Sequence, residues 1–154
     1  MNKDQLRYLV ERVLRYIGLW SKDAENLILG TIAQESRMGK YIRQLGKGPA
    51  LGICQMERET FYDIRDNFLC YRQNLKNLIK DISNVNTLAA ESLEYNLALS
   101  IAMCRVHYLR VPKPIPHTLE GYAKYWKEYY NTPLGKGTED EFIENYLLYV
   151  GYEN

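Results

Sequence analysis

Between residues 89 and 110 the chain carries apolar side chains around nearly its whole helical circumference. Leu93, Leu97, Ile101, Cys104 and Tyr108 form one stripe, and Ala98, Ala102 and Val106 widen it. A helix with so little polar face has to be enclosed by other elements. The spacing therefore predicts a central helix over 89–110. It is stopped by Val111-Pro112-Lys113-Pro114-Ile115-Pro116, because proline removes a backbone donor and biases its predecessor away from helix.

The flanking segments supply the enclosure. Leu6, Leu9, Val10, Val13, Leu14 and Ile17 recur at amphipathic spacing before Gly18. Ser21 can cap a second helix over 22–38, with Asp23 and Glu25 in the first turn where the helix dipole favours negative charge. Gly39, Gly46, Gly48 and Pro49 surround a short extended candidate at 41–45, which reads as a loop or small hairpin. Helices are expected over 59–67, over 70–82 and from Thr118 through Tyr130. Thr138-Glu139-Asp140-Glu141 has the capping-box pattern before a last helix. The fold class is mainly α: about seven helices around a central one, with at most one small β-hairpin, in a single domain over 1–154.

Composition excludes several functions. Twenty Lys and Arg against nineteen acids give a formal charge of +1, so the chain lacks the global field of a dedicated nucleic-acid binder. Cys54, Cys70 and Cys104 are an odd set without CxxC spacing and read as free thiols. His107 and His117 have no neighbouring nucleophile or metal-ligand pattern, and read as a helix-surface histidine and a polar residue before the Thr118 cap. No metal or cofactor is expected. No run is long enough for membrane insertion, and Met1-Asn2-Lys3-Asp4-Gln5 lacks the apolar core of a signal peptide. The expectation is synthesis as a soluble cytoplasmic product. Fourteen tyrosines, many between Tyr122 and Tyr152, suit either helix packing or a wet groove.

The chemistry is concentrated in Glu35-Ser36, followed by Gly52-Ile53-Cys54-Gln55-Met56 and Thr60. Glu35 closes an apolar stretch just before a Gly-rich connection, where an acid can be half buried beside a cleft. Burial disfavours the charged form, raises the pKa and keeps a proton available near neutral pH. The bland alternative is a solvent-facing acid that ends an ordinary helix. Ser36 can orient the carboxyl or the loop, or bond a free helix carbonyl. Gln55 offers a donor and an acceptor and Met56 an apolar contact; otherwise they form a short strand with one residue in and one out. Gly52 permits close backbone approach or an unusual backbone angle. A two-carboxylate hydrolase would need a second acid about 5 to 9.5 Å away. Glu57, Glu59 and Asp63 are the nearby candidates and Glu57 the first to test, although dipole complementarity in the next helix explains it equally. Tyr125, or Tyr122 one turn earlier, can donate a phenolic hydroxyl to Glu35 or simply pack in the core.

Glu35-Ser36, Pro49-Ala50-Leu51-Gly52-Ile53-Cys54-Gln55-Met56 and Thr60 resemble the catalytic segment of the soluble lytic transglycosylase family, in the lysozyme-like superfamily. That family carries an E-S pair ending a helix, a loop, and a G-A-x-G-L-M-Q-[LIM]-x-P-x-T block. The resemblance extends to Tyr95-Asn96-Leu97-Ala98 and Ala123-Lys124-Tyr125-Trp126, and residues 129–138 look like bacteriophage members. Pro49, Cys54, Arg58 and Trp126 stand where the family has glycine, methionine, proline and asparagine.

The resemblance implies an α+β lysozyme-like fold and cleavage of the β-1,4 bond between N-acetylmuramic acid and N-acetylglucosamine in peptidoglycan. Glu35 would act as sole acid and base and leave a 1,6-anhydro end. It also implies peptidoglycan glycan strands as partner, action at the cell wall, and, for a phage protein, other virion proteins as neighbours. The alternatives are a hydrolytic muramidase and a non-enzymatic virion component.

Overall fold

A computed structural model describes residues 1–131 and 134–151. These form seven α-helices and one two-stranded sheet, in agreement with the expected fold class.

Helix α1, Lys3–Tyr16, begins at Asn2, whose side chain accepts from the backbone N–H groups of Asp4 and Gln5. It buries Leu6, Val10, Val13 and Leu14. Helix α2, Lys22–Ser36, is capped by Ser21, whose hydroxyl accepts from Ala24 N. Every residue from Ala24 to Ala33 is buried. At Gly30 a Cβ would lie 2.4 Å from the Phe142 ring, so the missing side chain lets the last helix pack directly against α2. Helix α2 stops two residues earlier than the spacing suggests. Arg37 and Met38 both turn left-handed, at φ 50° and 59°, and their N–H groups bond Ala33 and Ile32 carbonyls in the usual helix-ending pattern.

Strands β1, Ala50–Leu51, and β2, Met56–Glu57, pair antiparallel, Ala50 with Glu57 and Leu51 with Met56. The extended segment expected at 41–45 contributes only the single bridge Arg43 to Leu51. Helix α3, Arg58–Asn67, follows directly, and a 3-10 turn at Leu69–Tyr71 leads into α4, Gln73–Ser83.

The expected helix over 89–110 is divided. Ala90–Glu94 is a 3-10 segment, and α5 begins only at Leu97 and runs Leu97–Leu109. Asn96 makes the break: its side-chain oxygen accepts from Leu99 N at 3.0 Å and its amide donates to the Ser83 carbonyl at 2.8 Å. An asparagine that can satisfy a helix start and tie down a neighbouring helix end is better placed as a cap than inside a turn. Leu93 remains buried on the far side of the break. Helix α5 is the enclosed helix the stripe predicts, with Leu99 to Cys104 all buried, but α2 is equally enclosed beside it.

Helix α6, Leu119–Trp126, starts at the Thr118 cap and widens into a π-helical turn, Lys127–Asn131. Helix α7, Glu139–Tyr149, starts at Thr138, whose hydroxyl accepts from Glu141 N at 3.1 Å. The buried apolar side chains, from Leu6 to Val150, form a single core. Among the described residues no helix is long and apolar enough to cross a membrane.

Candidate active site

Glu35 lies in the last turn of α2, on the floor of a cleft of about 920 Å³. The turn beyond it is fixed by Ser36, whose hydroxyl donates to the Ile32 carbonyl at 3.1 Å and accepts from Gly39 N at 2.9 Å. Of the roles open to Ser36, its hydroxyl takes two together, holding the loop and bonding a helix carbonyl. Its hydroxyl is buried against backbone and does not orient the carboxyl.

The opposite lip comes from β1, β2 and their connection. Gly52 adopts φ 80°, and a Cβ there would meet the Leu93 carbonyl oxygen at 2.3 Å and Ser100 Oγ at 2.6 Å, so both readings of this glycine hold together. Gln55, also left-handed at φ 48°, folds its amide back to donate to the Gly52 carbonyl at 2.8 Å. Its donor is therefore used internally, and the acceptor is what remains for a ligand. Gln55, Met56, Glu57 and Thr60 all line the same cleft as Glu35. Met56 is buried, whereas Glu57 is exposed at the N-cap of α3 without capping it. Asp63 is removed from consideration as a second acid, since its carboxylate is engaged by Arg110 at 2.6 Å and Asn67 at 2.7 Å. Glu59 does not line the cleft either.

Two expected residues belong elsewhere. The Tyr122 hydroxyl donates to Asp23 at 2.5 Å, near the start of α2. Twelve helical rises separate Asp23 from Glu35, about 18 Å, too far for contact. The Tyr125 hydroxyl donates to the Lys113 carbonyl at 2.9 Å, and its ring lies against Tyr108 and Tyr129. The proline-rich connector thus takes the hydroxyl that was expected to reach the acid. Tyr125 lines a smaller hollow of about 340 Å³ with Asp23, Arg105 and His117.

In their place the cleft holds Tyr130 and His107. Tyr130 stacks on Tyr108 at 5.4 Å and donates to the Cys54 carbonyl at 2.5 Å, which fastens the π-helical turn to the Gly52–Met56 connection. His107 is not the surface residue expected: it is half-buried, with Nε2 at 3.1 Å from the Tyr129 carbonyl and Nδ1 at 3.1 Å from Arg110. The carbonyl requires the proton on Nε2, and Nδ1 then accepts from the guanidinium. Burial, reinforced by Arg110, lowers the His107 pKa to about 4, so the ring is neutral. One sequence signal could have pointed to Tyr130: it follows Trp126 by four residues, the spacing of a shared helical face.

Burial raises the Glu35 pKa to about 7. The side chain keeps a partly exposed edge on the cleft while protein surrounds most of it. The indole N–H of Trp126, wholly buried on α6, faces the carboxyl and opposes the rise, yet makes no hydrogen bond of ordinary length. Cys54, Tyr108 and Tyr130 close the remaining sides, each with its own pKa pushed up, first by burial, and hence neutral.

Glu25, on the same helix, is the instructive contrast. Burial pulls its pKa upward too, but Trp20, Arg7 and Lys22 all donate to it, and the balance falls below the ordinary value. One helix therefore holds an ionised structural acid and, in a cleft, an acid poised to give up a proton near neutral pH, the pattern by which environment separates roles. All three cysteines are free, and among the described residues no group of His, Cys, Asp and Glu is placed to hold a metal ion.

No protein-family model, curated protein or solved structure matches the chain.

Proposed function

We propose that the chain is a peptidoglycan lytic transglycosylase that cleaves between N-acetylmuramic acid and N-acetylglucosamine with Glu35 alone as acid and base. The observation that carries this reading is a mostly buried carboxylic acid, its pKa raised by that burial to about 7, lining an open cleft of about 920 Å³. Glu35 gives its proton to the glycosidic oxygen as the bond to the anomeric carbon breaks. The carboxylate then takes the proton of the C6 hydroxyl as that oxygen closes onto the same carbon. The acid is restored and no water is consumed. Action at the wall in phage entry or lysis, beside other virion proteins, fits the resemblance of residues 129–138.

One observation favours a second reading: Glu57 lines the cleft with Glu35, as a hydrolytic muramidase would require. Digestion of purified peptidoglycan followed by mass spectrometry decides between them. Anhydromuramoyl ends are expected, and reducing ends carrying an added water would convert the assignment to hydrolysis. No release of muropeptides at all, with stoichiometric incorporation into particles, would favour the non-catalytic virion role.

A further inference from the structure

A buried polar hydrogen without a partner is uncommon, and the indole N–H of Trp126 is one. The residue is wholly buried, with its ring packed on Phe142 at 5.3 Å. Gly137 lies so close that a Cβ there would stand 2.6 Å from the far edge of the indole and 3.3 Å from the Gln34 amide. The ring is thus held by Phe142 of α7 and by Gly137 in the loop before that helix. It cannot swing away to find another acceptor, and the group its N–H faces is the Glu35 carboxyl.

We propose that Trp126 is a positioning residue whose indole N–H receives the Glu35 carboxylate in the interval after the acid has given up its proton. This rests on the reading of Glu35 as an acid that must then serve as a base. While the carboxyl carries its proton it holds the N–H only weakly. Once ionised, the carboxylate gains a charge-assisted bond, shorter and stronger than a neutral one. That bond keeps it fixed for the C6 hydroxyl. Among the described residues Trp126 is the one side chain whose hydrogen-bond donor lowers the Glu35 pKa. The titratable neighbours Cys54, Tyr108 and Tyr130 are neutral, the Tyr130 hydroxyl is committed to the Cys54 carbonyl, and neutral His107 has both ring nitrogens paired.

The test replaces the N–H and keeps the ring. In Trp126→Phe, and in protein carrying at position 126 the sulfur isostere of tryptophan that lacks only the N–H, the Glu35 carboxyl is titrated by 13C NMR, with Glu35→Gln assigning the signal. Removing the donor should raise the titration midpoint from about 7 to about 8. It should lower kcat on peptidoglycan roughly tenfold to a hundredfold with KM unchanged, while 4-fluorotryptophan, which keeps the N–H, restores both. The sulfur isostere guards against a Phe variant that fails to fold. An unchanged midpoint in a folded protein lacking the N–H overturns the proposal. A raised midpoint in a protein whose wild type cleaves no glycan would instead overturn the enzymatic reading and leave the indole–carboxyl bond supported.

Discussion

Two glutamates ten residues apart on one helix meet opposite fates because of what donates to them. Glu25 has three donors and is ionised; Glu35 faces one indole N–H that makes no hydrogen bond of ordinary length, and burial raises its pKa to about 7. Glu35→Gln should therefore lower glycan cleavage by about a hundredfold to ten-thousandfold, the range of lost general acid catalysis, while circular dichroism shows the fold retained. Full activity in that variant would take Glu35 out of the mechanism. Because the acid must begin protonated, the wild-type rate should fall as pH rises through about 7. Glu35, Gln55 and Met56 were legible in the sequence because short-range features announce them, an acid closing an apolar helix and a compact Gly-containing block. Tyr125 was misplaced because a hydroxyl's partner is settled by distant chain, here the Lys113 carbonyl on the proline connector. Trp126 was noted only as a departure from a pattern, since nothing local says that an indole buried on α6 will face the end of α2.

At the scale of elements, the cleft depends on how closely the Gly52–Met56 connection approaches the 3-10 segment Ala90–Glu94. Leu93 presents its carbonyl to Ser100 Oγ at 2.8 Å, and Gly52 fits against both atoms. Gly52→Ala combines a left-handed backbone angle with a 2.3 Å collision against backbone oxygen, and should cost about 2 to 4 kcal/mol in urea unfolding. A loss below about 0.5 kcal/mol would mean that the connection shifts freely. Asn96→Ala removes the α5 cap and the bond to Ser83, with an expected loss of about 1 to 2 kcal/mol. This break was hidden in the sequence because hydrophobic periodicity runs through it. Leu93 and Leu97 remain four apart and both pack inward, so the stripe is preserved while the helix is interrupted. Caps written locally were readable, as Ser21, Thr118 and Thr138 each accept the expected backbone N–H.

For the molecule as a whole, Glu35 and His107 make stability respond to pH in opposite directions from two sides of one cleft. Glu35 has a folded pKa of about 7 against an ordinary 4.5, so the folded chain keeps a proton that the unfolded chain releases. Its favourable contribution is complete below pH 4.5 and disappears as pH rises through 7, a change of about 3 kcal/mol at most. His107 has a folded pKa of about 4 against 6.5, so the unfolded chain takes up a proton that the folded one refuses. Its contribution is complete above pH 6.5 and disappears as pH falls through 4, by a similar amount. Between pH 4.5 and 6.5 the two slopes cancel, and these sites leave the wild-type unfolding free energy nearly level. Glu35→Gln should expose the histidine slope, with stability rising as pH rises. His107→Gln should expose the acid slope, with stability falling, and the double variant should return to the wild-type shape. Urea midpoints collected across this window measure all four curves. Parallel curves for the two single variants would mean that neither group is buried in the charge state assigned to it, and the protonated acid at the cleft floor would be lost with them.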